Sequence, residues 1–285
     1  MAISLLNNIS ALQAENQLNT TSNNLQSTLF QLSSGSRLNT GADDPAGLEI
    51  ANGLQANITA LNQSANNANE GVGLAQTADG ALAQVTNLLN RATTLATEAA
   101  NGTNTGAQLT ALNTEYTSIK AEIDQIGINT TFNGTSVFTA ASQTTAGTTS
   151  IFLSDGGANE TLANATIGVS PGYLNSAGAN GSLGLTTALD SQADAATALT
   201  QITNAIGTVA ASRGSLGAAV NRLNAASNVE TAQVQNLTSA EDGITAANIP
   251  QEVANLSKYS VLDQTGISSL TQANNQLQNI LALFR

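Results

Sequence analysis

The fold is decided by residues 54–99, which read LQANITALNQSANNANEGVGLAQTADGALAQVTNLLNRATTLATEA. Apolar residues recur in this segment at alternating spacings of four and three, with a one-residue phase shift after Ala75. This heptad spacing places them on one stripe of an α-helix. Asp44 suits the N-cap, Pro45 suits the first helical position, and Gly102 provides a stop. The pattern therefore predicts a helix of about 50 residues and about 75 Å.

Two later segments carry the same kind of stripe. Apolar residues keep the three- and four-residue spacing over 109–126, and again over 199–223 until Ser227 and Glu230 interrupt it. Helices with matching apolar stripes pack against each other as a bundle. We therefore expect three antiparallel helices in a slender bundle.

Between the second and third of these helices the sequence changes character. TTFNGTSVF at 130–138 places Asn133 and Gly134 between β-favouring residues, which is a strong signal of a β-hairpin. Residues 139–187 are mostly Gly, Ala, Ser, Thr and Asn with scattered larger apolar residues. We expect a small exposed lobe of short strands and irregular structure there.

Both ends of the chain carry weaker apolar stripes, on segments rich in Asn, Ser, Thr and Gln. Such helices are marginal on their own and need a partner. One interpretation docks each of them on the bundle. We favour the other, in which they pair with each other and with copies of the chain, and Asn274 at a core position fixes the register. The predicted self-assembly seam comprises Leu18, Leu25, Leu29, Leu32, Ile267, Leu270, Asn274, Leu277, Leu281 and Phe284.

These patterns predict a mainly α fold, with a long antiparallel bundle or coiled coil, a β-hairpin and a small irregular middle lobe. Three regions are expected. The paired terminal helices occupy 1–42 and 243–285, the helical bundle with its hairpin occupies 43–138 and 188–242, and the variable lobe occupies 139–187.

The composition argues against several classes of function. The 285 residues include no His, Cys or Trp, and seven Lys plus Arg against nineteen Asp plus Glu give a net charge of −12. The commonest catalytic base, the thiol nucleophile and the usual zinc ligands are therefore missing, and we predict no enzymatic activity, no cofactor and no metal. Nucleic-acid binding requires clustered Lys and Arg, which are scattered singly here.

The sequence predicts neither a membrane span nor a cleaved secretory signal. No apolar run approaches the ~20 residues that span a bilayer, so no membrane partner is expected. The first residues lack the basic and apolar parts of a cleaved secretory signal, so export would need another route. The adjacent carboxylates Asp43 and Asp44 could suggest metal or acid chemistry, but no third ligand lies nearby, and a turn with a helix cap is the better interpretation.

Five stretches together resemble bacterial flagellin. They are LSSGSRLNTGADDPAGLEIA at 32–51, ATEAANGTN at 96–104, TTFNG at 130–134, LGAAVNRLN at 216–224 and QANNQLQNILALFR at 272–285. The resemblance covers all but the middle lobe. It implies a structural subunit that self-assembles into the flagellar filament for swimming motility, with the paired terminal helices as filament core and the bundle as shell. Pro250 departs from the family pattern and should start or kink a helix.

The resemblance also implies a location and partners. The subunit would be exported through the flagellar type III apparatus to the extracellular flagellum, and its partners would be other copies of itself, an export chaperone, and junction and cap proteins. Arg91, Leu95 and Glu115 match the positions that the host Toll-like flagellin receptor recognises, although a role in subunit-to-subunit contact would also account for them.

Two alternatives remain at this point. A hook–filament junction protein shares the terminal helices. An enzyme carried in the middle lobe would belong to another class, and the short length of residues 139–187 argues against it.

Overall fold

The computed structural model describes residues 8–138, 149–153, 165–169, 176 and 183–283, with no side-chain description for 149, 165–169 and 277–283. The elements follow the order α1 (Ile9–Ser34), α2 (Pro45–Ala99), α3 (Gly106–Asn129), β1 (Thr131–Phe132), β2 (Thr135–Ser136), β3 (Thr149–Leu153), β4 (Ala165–Val169), α4 (Gln192–Thr245) and α5 (Ile249–Leu283). The mainly α fold expected from the sequence is confirmed.

The chain divides into two compact units. One, here called the terminal unit, combines Met1–Ala56 with Asn236–Arg285. The other, here called the bundle unit, is Asn57–Gln235.

Local signals set the ends of the helices. Asp44 Oδ1 accepts a hydrogen bond from the Gly47 backbone N–H at 3.0 Å, so Asp44 caps α2 as predicted and Pro45 is its first residue. Thr105 and Gln108 form a reciprocal capping box at the start of α3. Pro250 lies in the first turn of α5, which agrees with the expectation that it starts a helix.

In the bundle unit, α3 and α4 each run antiparallel to α2. Arg91 on α2 pairs with Glu115 on α3, and Asp79 on α2 pairs with Arg213 on α4. Nearer the start of α2, Ser64 meets Glu230 of α4. The buried core between these helices is made of small and branched apolar residues, among them Ala75, Ala78, Leu82, Val85, Leu89, Ala92, Ile123, Ile202, Leu216 and Leu223.

The buried stripe of α2 differs from the predicted one at two positions. Ser64 and Gly71 are buried, whereas Ala65 and Val72 are only half-buried. The three- and four-residue spacing therefore continues without the expected phase shift. The difference arises because a serine or a glycine is not counted as apolar when a stripe is sought in a sequence.

The stripe of α4 also differs from expectation. It was expected to be interrupted at Ser227 and Glu230, yet α4 is unbroken, Ser227 is half-buried and Glu230 is buried. The helical spacing of three and four continues through Leu223 to Glu230, so packing buries a carboxylate at a position that would ordinarily be apolar.

Both β-hairpins belong to the bundle unit. The predicted hairpin is confirmed, with β1 and β2 antiparallel around Asn133 and Gly134, which adopt φ of 50° and 76°. Positive φ at both central residues is the requirement of a type I′ turn, which Asn-Gly satisfies. In the region of the expected lobe, β3 and β4 pair antiparallel in the register Ile151↔Ile167. Residues 139–148, 154–164, 170–175 and 177–182 of that lobe lie outside the described residues.

The β3 strand packs against α2 at Gly71. A Cβ on Gly71 would lie 2.8 Å from Ile151 Cγ1 and 3.1 Å from Leu223 Cδ1. Real Cβ atoms do not approach neighbours that closely, so only glycine leaves room for Ile151 here. Leu153, two residues further along β3 and hence on the same face, is buried.

Candidate assembly surface

In the terminal unit, α1 and α5 pack against each other in antiparallel orientation. The Asn8 side-chain amide donates to the Ala273 carbonyl at 3.0 Å, and a Cβ on Gly266 would lie 3.1 Å from Leu18 Cδ1. The antiparallel pairing of the terminal segments is thus confirmed.

The connections that lead out of these helices are joined by backbone hydrogen bonds. Ser36 and Ala246 form an antiparallel bridge. The Arg37 backbone N–H donates to the Thr245 carbonyl at 2.7 Å, and its guanidinium donates to the Ile244 carbonyl at 3.0 Å. This bridge fixes where α1 ends relative to the start of α5.

Among the side chains described for α1 and α5, no large apolar residue is fully buried. Within α1 the buried residues are Thr21 and Thr28, and no residue of α5 is buried over the range 249–276 in which side chains are described. The contact stripe consists of these threonines and half-buried residues at three- and four-residue spacing. They are Leu18, Leu25 and Leu32 on α1, and Glu252, Leu256, Tyr259, Asp263, Gly266 and Leu270 on α5.

The same unit exposes many large apolar side chains, which we call the outer apolar set. Ten of the thirteen exposed large apolar residues among those described lie in the terminal unit, and they are 40% to 69% exposed. The set is Ile9, Leu12, Leu29, Phe30, Ile50, Ile249, Val253, Val261, Leu262 and Ile267. Together these side chains provide apolar surface for a contact with another protein.

The residues of the predicted seam are distributed over both surfaces. Leu18, Leu25, Leu32 and Leu270 lie on the half-buried stripe between α1 and α5. Leu29 and Ile267 belong instead to the outer apolar set, and Asn274 is exposed. The side chains of Leu277 and Leu281, and Phe284 as a whole, lie outside the described residues.

Several residues at the contact between α1 and α5 cannot be found by searching the sequence for stripes of apolar residues. Thr21, Thr28 and Gly266 occupy contact positions with side chains that such a search ignores. Their three- and four-residue spacing to Leu18, Leu25 and Leu270 is the signal that would have found them.

The adjacent carboxylates Asp43 and Asp44 both serve the turn before α2. Asp43 Oδ2 accepts from the Thr40 backbone N–H at 2.8 Å, from the Asn39 backbone N–H at 3.1 Å and from the Thr40 hydroxyl at 3.0 Å. These hydrogen bonds, the Thr40 backbone one foremost, lower the pKa of Asp43. The pair thus acts as a turn and a cap, in agreement with the sequence interpretation.

The three residues matched to the receptor positions lie in different environments. Arg91 and Glu115 form an exposed ion pair of 2.7 Å between α2 and α3, with side chains 57% and 45% exposed. Leu95 is only 1% exposed and belongs to the bundle core. Arg91 and Glu115 are thus accessible to a partner, and Leu95 supports the helix that carries Arg91.

Comparison with known proteins gives the same picture at both ends of the chain. The family model described as the bacterial flagellin N-terminal helical region matches residues 5–143, and the model of the bacterial flagellin C-terminal helical region matches residues 199–284. Flagellin of Bacillus subtilis is 31% identical over 98% of this chain and 98% of its own length. The chain belongs to the bacterial flagellin family.

Other relatives differ in how much of their length is matched. B-type flagellin of Pseudomonas aeruginosa is 45% identical over 47% of this chain, which corresponds to 28% of that protein. The flagellar filament 33 kDa core protein of Treponema phagedenis is 29% identical over 98% of both chains. Among solved structures, the crystal structure of Bacillus cereus flagellin is 32% identical, with a TM-score of 0.48, and covers 62% of this chain and 94% of that one.

Proposed function

We propose that this chain is the structural subunit of a flagellar filament and that the outer apolar set of the terminal unit joins one copy to the next. The observation that carries the proposal is the imbalance within α1 and α5. The pair buries two threonines and no large apolar side chain among its described residues, while it exposes nine large apolar residues. Full burial of an exposed side chain of this size is worth roughly 1.5–3 kcal/mol, so completing the burial of each of these would contribute about half of that.

The bundle unit and the paired terminal helices take different places in the proposed filament, because they differ in buried apolar core. The bundle unit has its own buried core of Leu, Ile, Val and Ala, so it can remain folded in a free subunit and form the filament shell together with its hairpin. The paired helices of 1–42 and 243–285 form the filament core, and the lobe at 139–187 is the surface-exposed part. This assignment rests on family membership and on the contrast in apolar burial.

The remaining assignments derive from family membership. The subunit leaves the cell through the flagellar type III apparatus, assisted by an export chaperone, and it meets junction and cap proteins in the extracellular flagellum. Among the described residues, no helix combines the length and the apolar character needed to cross a membrane. The role of the chain in this scheme is mechanical.

Replacing Ile267 with Asp is expected to prevent filament growth without unfolding the subunit. Ile267 is 52% exposed on α5, so an exposed Asp should change the stability of the monomer by no more than about 0.5 kcal/mol. In an interface, the same Asp is an unpaired buried charge. Sedimentation of seeded protein measures polymer yield, and circular dichroism checks that the monomer is folded.

The matched control is Ile128→Asp, which makes the same change at an exposed residue of the bundle unit. This variant should still polymerise. Normal filaments from Ile267→Asp together with failure of Ile128→Asp would place the assembly contacts on the bundle unit and contradict the proposal.

A second binding function is favoured by the position of the Arg91–Glu115 pair. Both side chains are exposed, and they lie next to each other on α2 and α3. A partner that binds this side of the two helices can therefore contact both. We propose that the host Toll-like flagellin receptor contacts this pair.

The change Arg91→Ala should therefore reduce receptor signalling in reporter cells by tenfold or more, since a well-placed Arg at an interface is commonly worth over about 1.4 kcal/mol. Loss of the exposed ion pair itself should cost at most about 1 kcal/mol of monomer stability. Arg222→Ala, at another exposed Arg of the bundle unit, is the control. Equal signalling by the native protein and Arg91→Ala would contradict receptor contact.

A further inference from the structure

Glu230 occupies a buried position on the stripe of α4 that faces α2. It is 5% exposed, and Ser64 on α2 is 1% exposed. The Ser64 hydroxyl donates to Glu230 Oε1 at 2.5 Å. A carboxyl group therefore takes the place of an apolar side chain in the bundle packing.

The helix that carries Glu230 offers it no counter-charge nearby. Along α4 the next charged residues are Arg222, eight positions before it, and Glu241, eleven positions after it. Eight residues of helix correspond to about 12 Å. Arg222 is also exposed, so it does not neutralise Glu230.

The described residues of α2 and β3 near Glu230 include no cation either. Along α2 no charged residue occurs between Glu49 and Glu70, and Glu70 is exposed and negative. The β3 strand, which reaches α2 and α4 through Ile151, reads TSIFL and carries no charge. Ionised Glu230 would be an isolated negative charge in the packing, which is strongly unfavourable.

Two buried oxygens next to this position have no hydrogen-bond partner among the protein atoms described. They are Glu230 Oε2 and Gln233 Oε1. Gln233 is three residues further along α4, so the two side chains lie on the same face of the helix. An ionised carboxylate and an amide oxygen are both acceptors, whereas a protonated carboxyl supplies one O–H donor.

We propose that the protonation state of Glu230 controls the packing of α4 against α2 at Ser64. In the folded bundle unit it is a neutral carboxylic acid that accepts from Ser64 on Oε1 and holds its proton on Oε2, on the face of α4 that it shares with Gln233. Loss of this proton leaves an unpaired charge in the packing and loosens the contact at Ser64. The proposal concerns the folded bundle unit and does not depend on how copies assemble.

The stability of the bundle unit depends on pH because the pKa of Glu230 differs between the folded and the unfolded state. Burial raises the pKa of Glu230, and the hydrogen bond from Ser64 offsets this only in part. The folded-state pKa of Glu230 lies above that of an unfolded glutamate, which is about 4.3. The contribution of neutral Glu230 to stability is therefore complete below about pH 4.3. It is lost as the pH rises through the folded-state pKa.

The test compares Glu230→Gln with the native protein as full-length, unseeded monomer over a range of pH from acid to mildly alkaline. Gln keeps the shape and cannot ionise. The unfolding midpoint of the native protein should fall with rising pH by at least a few degrees more than that of Glu230→Gln, and the variant should be the more stable at alkaline pH. The matched control, Glu70→Gln, removes an exposed carboxylate of α2 and should follow the native curve.

A second measurement does not depend on folding of the variant. The side-chain carboxyl ¹³C shift of Glu230 in the native protein should titrate above the pKa of about 4.3 of an unfolded glutamate. Titration at that unfolded value, or parallel pH curves for the native protein and Glu230→Gln, would overturn the proposal.

Discussion

Removal of residues 267–285 should give a soluble monomer with a folded bundle unit that forms no filaments, even on seeds. The deletion takes away Leu270 and the Ala273 carbonyl that accepts a hydrogen bond from Asn8, and thus the part of α5 that packs against the start of α1. It also removes Ile267 from the outer apolar set. Each apolar side chain of the predicted seam that the deletion removes would contribute up to roughly 1.5–3 kcal/mol if the filament buried it. We therefore expect their combined loss to abolish assembly.

Sedimentation measures whether filaments form, and thermal unfolding checks that the bundle unit is folded. A point variant, Leu270→Asp, should reproduce the loss of polymer because Leu270 is half-buried on the α1–α5 stripe, whereas Gln272→Asp adds the same charge at an exposed position and should polymerise. Long polymers from the truncated chain would show that the bundle unit alone holds the filament together.

The second large effect is expected at Tyr116, a fully buried residue of α3. Tyr116→Ala should lower the free energy of unfolding of the bundle unit by about 3–5 kcal/mol, because it leaves a cavity among the bundle helices. Denaturant unfolding of the monomer measures this loss directly.

Tyr116→Phe is the informative companion. The Tyr116 hydroxyl is buried without a hydrogen-bond partner, and its burial raises the pKa of Tyr116 to about 12. Removing a hydroxyl that makes no hydrogen bond should leave stability unchanged or raise it. Between the pKa of about 10 for an unfolded tyrosine and the folded value, native stability should decline with pH, and this part of the decline should vanish in the Phe variant. A loss in Tyr116→Phe as large as in Tyr116→Ala would mean that the hydroxyl, not the ring, stabilises the core.

The sequence was most informative where apolar side chains make the contacts. The stripe of α2, the cap at Asp44 and the turn at Asn133–Gly134 could all be predicted, because each rests on local geometry that a few residue types satisfy. The bundle follows from matching stripes because burial of apolar surface is the main favourable term in packing.

The sequence was least informative where a contact position holds a residue that is not apolar. Gly71 is buried because Ile151, eighty residues later, packs over it, and Glu230 is buried because helix α4 continues past it. The same limit applies to Thr21 and Thr28 on α1. Which leucines face α5 and which face outward also depends on tertiary pairing, since Leu25 and Leu29 are one turn apart on the same helix.

The backbone bridge between Ser36 and Ala246 has a consequence for the order of folding. The Ser36 hydroxyl donates to the Thr245 carbonyl across a sequence separation of 209 residues. Contacts between segments so far apart close a very long loop, and chains with many such contacts fold slowly. Pairing of α1 with α5 requires that the whole segment between them has been synthesised, so we expect the terminal unit to fold later than the local turns and caps of the bundle unit.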